Sequence, residues 1–425
     1  MNKKSSELLL SHPLEQKMGI TYYASKEQGI HGKIRVHPKD FQVEEILPDG
    51  RIVSIDDEDF SLGDDEPGLY TEFVLIKRNI ESHAALYKIT SALKLNIKDI
   101  DIAGTKDKTA YTAQRSTIWR VPAEKLLKLE LKGITIRSPR TTIYKTYLGD
   151  LKGNHFTIKV REFEDSEAEL KEKIDTIRKE IDSFSGIPNY FGHQRFGTRR
   201  PISYLIGKNV MKENYEEAIR IYLSYQSEYE FDKSNEARRI FGETNDPEMA
   251  LKLIPKNLIF ERMILKRLSK NPKDFIGAFL TLPKNMQRIF VHSYQSYIWN
   301  KMLSERIRIF EDLTQQEIDI IENNEQVLPI VGYDTNLADN VLSDYVNELF
   351  EEDNIKQKHF LVERLPALKF PGLNRRIKLN PKDFGYSTSL DSENNTEVTF
   401  QFSLTSGSYA TVILREFMKA SPLVY

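Results

Sequence analysis

Residues 102–114 read IAGTKDKTAYTAQ, and this stretch places a carboxylate, Asp107, between two lysines shortly after Gly104. The alternating isoleucines of IKDIDIAG (97–104) predict a short strand, and AQRSTIWRV (113–121) predicts a second strand. We therefore expect the polar residues to lie in a tight turn that Gly104 permits and that two strands hold rigidly. Such a turn is either an ordinary solvated connection or a prepared site, and only the rest of the chain distinguishes the two.

Further strand patterns surround this stretch. Two short strands are predicted within residues 32–46, with a break at 37–40, and others at LYTEFVLIK (69–77) and HFTIKVREF (155–163), while residues 81–95 show helical spacing. A second helix begins with the capping box Ser166-x-x-Glu169, and its apolar stripe is interpreted as core only. The chain is mostly helical after Pro201 and returns to strand periodicity at 396–419. This order predicts an α+β domain interrupted by an insertion.

Composition excludes several kinds of chemistry. The 425 residues contain no cysteine, which excludes disulfides, thiolate nucleophiles and cysteine-based metal sites. The eight histidines are scattered and form no metal-binding motif, so no catalytic metal is expected. No run of about 18 apolar residues suits a membrane span, and the N-terminal 19 residues lack a secretory apolar segment. We expect a cytoplasmic protein that makes no membrane contact.

The overall charge does not indicate a nucleic-acid-binding protein, because 61 basic and 63 acidic residues leave a net charge of −2. Basic clusters occur at 193–200, 265–273 and 374–378, and each alone is best interpreted as a solvated face. No phosphate loop, dinucleotide-binding glycine motif or GxSxG motif is present. The chemistry that remains is that of a carboxylate acting without a cofactor.

A second motif, NYFGHQRFG (189–197), combines three aromatic residues, two glycines, an Asn, a Gln and an Arg. One interpretation is a core turn, which we expect for Phe196. The other is a nucleobase site, because aromatic rings such as Phe191 stack on bases and Asn reads base edges. In that case Arg195 suits a phosphate.

Together the two motifs resemble those of the TruD-type tRNA pseudouridine synthases, which carry AG-x-KD-x-x-A-x-T-x-Q and N-x-FG-x-QRFG stretches. Three further segments agree with that family: DFQVEEI (40–46), YQSYIWN (294–300) and SGSYATVILRE (406–416). The five segments follow in family order from about residue 32 to 419. The resemblance implies a pseudouridine-synthase-like catalytic domain with a mixed, mainly antiparallel sheet, at residues 1–205 and 370–425. It also implies an inserted, helix-rich α+β TRUD domain at 206–369, with RNA in a cleft between the two.

The implied reaction converts uridine to pseudouridine in RNA, most often at uridine 13 of tRNA, without metal or nucleotide cofactor, by a monomeric enzyme. The family's nucleophile maps to Asp107, and its substrate contacts map to Phe41, Asn189 and Tyr409. To these we add Phe191 for stacking, with Lys106 and Arg195 for the RNA phosphates. The flanking lysines favour the ionised carboxylate, and Thr112 or Gln114 orients it or contacts RNA.

Some details stay open at this point. Asp107 attacks either C6 of uracil or C1′ of ribose, and either Asp107 itself or an ordered water removes the C5 proton. Arg35 occupies the position of a basic residue that is often Lys in relatives, and it is left out of the catalytic set because the two side chains differ in geometry.

Two rival functions also remain. One is a catalytically silent RNA-binding or chaperone protein on the same scaffold. The other is a nucleosidase that pairs Asp107 with Glu44 or Glu45.

Overall fold

The computed structural model describes residues 8–425, so part of the N-terminal stretch analysed above, residues 1–7, lies outside the described residues. Two compact units are distinguished. The sheet unit comprises residues 29–175, 380–420 and 424–425, and the helical unit comprises the described residues up to Gln28, residues 176–379 and residues 421–423. These divisions differ from 205/206 and 369/370, which stay predictions for the domain boundaries. In the described chain no helix has the length and apolarity needed to span a membrane.

The strands within residues 8–425 are β1 Lys33–Ile34, β2 Phe41–Ile46, β3 Tyr70–Arg78, β4 Ile100–Ile102, β5 Tyr111–Trp119, β6 Ile134–Thr142, β7 Gly153–Arg161, β8 Ile187–Pro188, β9 Ile320–Glu322, β10 Glu325–Ile330, β11 Leu373–Arg376, β12 Lys378–Leu379, β13 Lys382–Leu390 and β14 Thr396–Thr405. The helices are α1 Pro13–Gln16, α2 Ser82–Ala92, α3 Ala123–Leu127, α4 Glu167–Ser183, α5 Ser203–Met211, α6 Tyr215–Ser224, α7 Asp232–Thr244, α8 Pro247–Leu253, α9 Ile259–Lys270, α10 Phe275–Leu280, α11 Lys284–Phe310, α12 Val341–Glu352 and α13 Ala410–Met418.

One large sheet organises the sheet unit, in the order β13-β14-β7-β2-β5-β3-β6, with β1 beside β7 and β4 beside β5. Only the β2–β5 pair is parallel, which confirms the predicted mixed, mainly antiparallel sheet. Alternate residues of β7 (Phe156, Ile158 and Val160) are buried, so one face of the strand packs on the core. The C-terminal strand β14 pairs with β7 at eight positions, from Val398↔Val160 to Thr405↔Gly153.

Helix α2 covers part of this sheet and positions the predicted site. Its buried Leu86 and Ile89 pack in one core cluster with Phe73 and Ile118 from β3 and β5. The helix begins where the Glu81 side chain accepts a hydrogen bond from Ala84 N, as expected for an N-cap. Its first residue, Ser82, is thereby fixed beside the loop between β4 and β5.

The helical unit is built around α11, which is buried on most sides and packs closely against α5. A Cβ on Gly207 of α5 would lie only 2.0 Å from the Phe290 carbonyl oxygen of α11, so this close approach requires glycine. A small three-stranded sheet, β11-β10-β9, belongs to the same unit. The short β12–β8 pair brings Lys378 opposite Pro188 and places the two chain segments around them side by side.

The predicted order of elements is confirmed. The capping box of α4 forms, with Ser166 N donating to Glu169 Oε2 at 2.8 Å, and the apolar stripe of this helix is buried. The strand predicted at 113–121 instead spans Tyr111–Trp119, because β5 pairs with the whole of β3 from Arg78↔Tyr111 to Tyr70↔Trp119. The terminal helix α13 follows β14 as predicted.

Candidate active site

The segment between β4 and β5, residues 103–110, is called the Asp107 loop. Strand β4 pairs with one half of β5, from Ile100↔Ile118 to Ile102↔Ser116, while β2 pairs with Tyr111 at the other end of the strand. The loop therefore leaves the sheet from β4, beside the C-terminal half of β5, and re-enters it at the first residue of β5. Gly104, predicted to permit this turn, has no positive φ, and a Cβ there would meet no atom within 4 Å, so the turn does not require glycine.

Asp107 carries its carboxylate on the exposed part of this loop, with 49% of its side chain accessible. Its Oδ2 accepts a hydrogen bond from Arg35 Nη2 at 3.0 Å, and the Arg35 side chain is only 15% exposed. The carboxylate is thus held on one side by a charge-assisted hydrogen bond from a largely buried guanidinium. The rest of the carboxylate stays open to an incoming molecule.

Arg35 is itself held by an aromatic ring. Its guanidinium lies 4.0 Å from the centroid of the Phe41 ring, which is 1% exposed and meets Phe156 edge-on. Burial lowers the pKa of Arg35, against the raising effect of Asp107. The backbone of Arg35 has φ +60°, a left-handed conformation that is uncommon for this residue type. Phe41, predicted to stack on uracil, thus supports the cation that pairs with Asp107.

The backbone of Asp107 has a second cationic partner in Lys77, whose Nζ donates to the Asp107 carbonyl oxygen at 2.6 Å. Lys77 is fully buried on β3. Burial lowers the pKa of Lys77 to about 8, although the charges of Asp107 and Glu81 oppose this shift. Lys77 therefore fixes the loop at the residue that carries the carboxylate.

Lys106, predicted to bind RNA phosphates, points elsewhere. Its Nζ lies 2.9 Å from Glu45 Oε2, and the two side chains are 4% and 0% exposed. Its backbone N donates to Ser82 Oγ at 2.9 Å, and Ser82 Oγ donates to its carbonyl oxygen at 3.1 Å. Lys106 thus anchors the loop to β2 and α2.

The two glutamates of the nucleosidase hypothesis also have other partners. Glu45 accepts hydrogen bonds from Lys106 and from Arg115 N, and Glu44 accepts one from Ile55 N at 2.6 Å. This arrangement disfavours a second carboxylate that works with Asp107 on a glycosidic bond.

Thr112 and Gln114 lie beneath the loop and are fully buried. Gln114 Nε2 donates to the Gly104 carbonyl oxygen at 3.0 Å. Thr112 Oγ1 and Gln114 Oε1 have no hydrogen-bond partner among the described residues. Buried groups of this kind are costly unless a water or ligand satisfies them.

Tyr409 stands at the N-cap position of α13 and is half-buried. Two backbone hydrogen bonds connect its surroundings to the Asp107 loop. Ser406 N, in the turn before Tyr409, donates to the Lys152 carbonyl oxygen at 3.3 Å, and Gly149 N donates to the Ala103 carbonyl oxygen at 2.7 Å. The sheet unit therefore contains Asp107, Lys106, Phe41 and Tyr409 of the predicted set.

The other predicted residues, Asn189, Phe191 and Arg195, lie in the helical unit. Arg375 contacts the first two of them. Asn189 is 5% exposed; its Nδ2 donates to the Arg376 carbonyl oxygen and its Oδ1 accepts from Arg375 Nη2, both at 2.8 Å. The Arg375 guanidinium also lies 4.0 Å from the Phe191 ring centroid, and the Arg195 guanidinium lies 5.5 Å from it.

The remaining residues of this second motif are structural. His193, which received no predicted role, is buried 2.7 Å from Glu15, and Phe196 is buried as expected for a core residue.

Three residues beyond the predicted set shape these clusters: Arg35, Lys77 and Arg375. Arg35 had a sequence signal, its position six residues before Phe41, but was left out because of its geometry. Arg375 lies in the basic cluster 374–378, which was interpreted as a solvated face. Lys77 gave no signal beyond its place at the end of a strand.

The chain is similar over most of its length to known proteins of one family. The family model for tRNA pseudouridine synthase D (TruD) matches residues 17–327 and 322–417. A Methanococcoides burtonii protein named "Probable tRNA pseudouridine synthase D" is 33% identical, over 96% of this chain and 98% of its own. A protein of the same name from Methanopyrus kandleri is 35% identical, over 83% and 86%. The crystal structure of TruD from Methanosarcina mazei superimposes with a TM-score of 0.79 at 30% identity, covering 98% of this chain and 100% of the other.

The protein is thus an isomerase of the pseudouridine synthase class, and its fold is that of these enzymes. Its chain belongs to the tRNA pseudouridine synthase D (TruD) family.

Proposed function

We propose that this protein converts uridine 13 of tRNA to pseudouridine with Asp107 as the nucleophile. The observation that carries this proposal is the Asp107 carboxylate, half-exposed, ion-paired to Arg35 at 3.0 Å and placed on a loop whose backbone Lys77 holds. A nucleophile must be accessible and fixed in position, and the half-exposure of the carboxylate and these two contacts favour both conditions.

The proposed reaction is balanced without any co-reactant. The N1–C1′ bond breaks, the uracil turns, and a C5–C1′ bond forms, while the proton leaves C5 and N1 gains one. Asp107 forms a transient bond to either C6 of uracil or C1′ of ribose, and that bond breaks before the product leaves. No electron is gained or lost overall, so we expect turnover in the presence of a metal chelator and without added nucleotide.

The uridine has to leave its stack first, which costs a few kcal/mol. We propose that Tyr409 in the sheet unit offsets this cost by contacts to a base, and that Phe41 acts through Arg35, whose guanidinium it supports. In the helical unit, Phe191 would contact another base of the RNA. Asn189, whose amide oxygen accepts from Arg375, would act by holding that guanidinium, and Arg195 would contact a phosphate. Lys106 would act indirectly, by fixing the position of the Asp107 loop. We further propose a monomeric, cytoplasmic enzyme; sedimentation and cell fractionation test these two points.

The direct test uses a tRNA transcript labelled with tritium at C5 of uridine. Wild-type protein should release tritium, and Asp107→Asn should release none, since the amide is nearly isosteric but not nucleophilic. Asp101→Asn is the matched control, because Asp101 is on the adjacent β4 and pairs with Lys145 at 3.1 Å. That control should keep the wild-type rate, and mapping the modified position should give uridine 13.

Other outcomes distinguish the rival functions. Tight tRNA binding without tritium release from any tRNA would favour the silent RNA-binding protein. Free uracil as a product would favour the nucleosidase. Wild-type turnover by Asp107→Asn would contradict the nucleophile assignment.

A further inference from the structure

A cavity of about 750 Å³ lies in the sheet unit, at the sheet edge where β2, β5 and β6 begin and where β3 and β7 end. Its volume falls within the range of about 300–1,000 Å³ that is usual for ligand pockets. Charged groups that line it come from five separate segments of the chain: Lys39, Asp40, Arg78, Lys88, Lys132 and Arg161.

The charges of this basic cavity do not balance. Its one carboxylate, Asp40, is 2% exposed and already accepts a hydrogen bond from Arg161 Nε at 3.0 Å. The other four cations, Lys39, Arg78, Lys88 and Lys132, are exposed and show no side-chain hydrogen bond or ion pair to any described residue. Like charges that converge without counter-charges raise the local positive potential and attract an anion.

One chain segment that lines the basic cavity adjoins the Asp107 loop. Lys77 and Arg78 are neighbours on β3, and the next residue, Asn79, donates its N–H to the Ala110 carbonyl oxygen at the end of the Asp107 loop, at 3.1 Å. Phe41, which supports Arg35, directly follows Asp40 of the lining. An RNA strand whose base reaches Asp107 would bring its neighbouring phosphates to this edge of the sheet.

We propose that the basic cavity binds the sugar–phosphate backbone of the RNA beside the target uridine. This inference rests on the proposed function and adds to it the surface that holds the substrate in register. Each cation placed on a phosphate releases condensed counterions, so binding should depend on salt in proportion to the number of contacts. Backbone contacts position the RNA and carry no sequence information.

The test compares the triple variant Lys39→Ala/Lys88→Ala/Lys132→Ala with the control Lys94→Ala/Lys98→Ala/Lys125→Ala. Both remove three exposed lysines from the sheet unit, but the control lysines do not line the cavity. Filter binding of tRNA at several salt concentrations should show affinity about 10- to 100-fold weaker for the cavity variant. The slope of log affinity against log salt should fall by about 2 to 3, at about 0.7–0.9 per lost phosphate contact. The tritium-release rate of the control variant at saturating tRNA should stay within about twofold of wild type.

Affinity and salt slope equal to those of the control variant would overturn the proposal, whereas the proposed function would stand if both variants release tritium. If the cavity variant loses salt slope while the wild-type protein releases no tritium, the cavity proposal is supported and the proposed function is rejected. Inorganic phosphate that binds the cavity while tRNA affinity stays unchanged would assign the site to a small phosphorylated ligand, and this too would overturn it. Should the triple variant fail to fold, Lys88→Glu on the exposed face of α2 tests the same change in slope.

Discussion

At the scale of single residues, two side chains that are distant from Asp107 in sequence hold its carboxylate in place. Phe41 supports the Arg35 guanidinium at 4.0 Å, and Arg35 donates to the carboxylate at 3.0 Å. A planar guanidinium can lie on a ring and donate in its own plane at the same time, which an ammonium cannot do in the same way. Arg35 therefore makes a contact with Asp107 and with the Phe41 ring that the lysine often found at this position in relatives would not make in the same geometry.

We expect Arg35→Gln to lower the single-turnover rate of isomerisation by about 10- to 100-fold, since a hydrogen bond to a charged group contributes about 1.5–3 kcal/mol. Arg35→Lys should recover part of this loss, because charge returns without the stacked fork. Quench-flow rates at saturating tRNA measure both variants. Equal rates for Arg35→Gln and wild type would exclude Arg35 from positioning the nucleophile.

The lowered pKa of Lys77 predicts how the stability of the protein changes with pH. Its pKa is lowered from 10.5 to about 8 in the folded protein, so the unfolded chain binds the additional proton between these values. The free energy of unfolding should therefore rise with pH from about 8 to 10.5, because over this range the unfolded state binds one more proton than the folded state.

In Lys77→Met this rise should be absent, a difference of a few kcal/mol at about 1.4 kcal/mol per pKa unit. Urea unfolding of both proteins at several pH values measures it. Parallel pH profiles would show that Lys77 titrates normally.

At the scale of elements, the Asp107 loop is held from beneath by three neighbours. Strand β2 supplies Glu45 to Lys106, α2 supplies Ser82 to the same residue, and β5 supplies Gln114 to Gly104. The loop owes its shape to these contacts, because its first glycine has no conformational requirement. A polar loop of this composition becomes a rigid site only when buried partners hold it.

We expect Lys106→Met to destabilise the protein by about 3–5 kcal/mol, because it leaves the buried Glu45 carboxylate without its cation. Lys106→Met/Glu45→Gln should lose less than the single variant. The exposed pair Lys33–Glu162, at 56% and 49% accessibility, is the control, and Lys33→Met should cost under about 1 kcal/mol. Urea unfolding measures all three variants; a small loss for Lys106→Met would mean that the pair contributes little to the loop.

At the scale of the whole molecule, the sheet unit depends on strands from both ends of the chain. Strand β14 pairs with β7 at eight positions, and its Phe400 and Phe402 are fully buried. More than 230 residues separate the paired positions, so this contact requires the intervening chain to return.

A chain that ends at Leu379 should therefore fail to form the sheet unit, because it loses β13, β14 and α13 and leaves the edge of β7 unpaired. Near-ultraviolet circular dichroism should show loss of tertiary signal. Addition of a separate fragment, residues 380–425, should restore both this signal and tRNA isomerisation. Native-like spectra and activity of the truncated chain alone would contradict this dependence.

The sequence by itself determined the α+β class, the order of elements, and the motif residues that identify the family, because these follow from local periodicity and from side-chain chemistry. The proposal that Asp107 is the nucleophile also comes from the sequence, through the place of this residue in a family motif. Tertiary structure alone decided the partners. Lys106 flanks Asp107 in sequence yet pairs with Glu45, whereas Arg35, 72 positions away, reaches the carboxylate. Charges act through distance in space, and the pairing of β2 with β5 and β7 sets those distances.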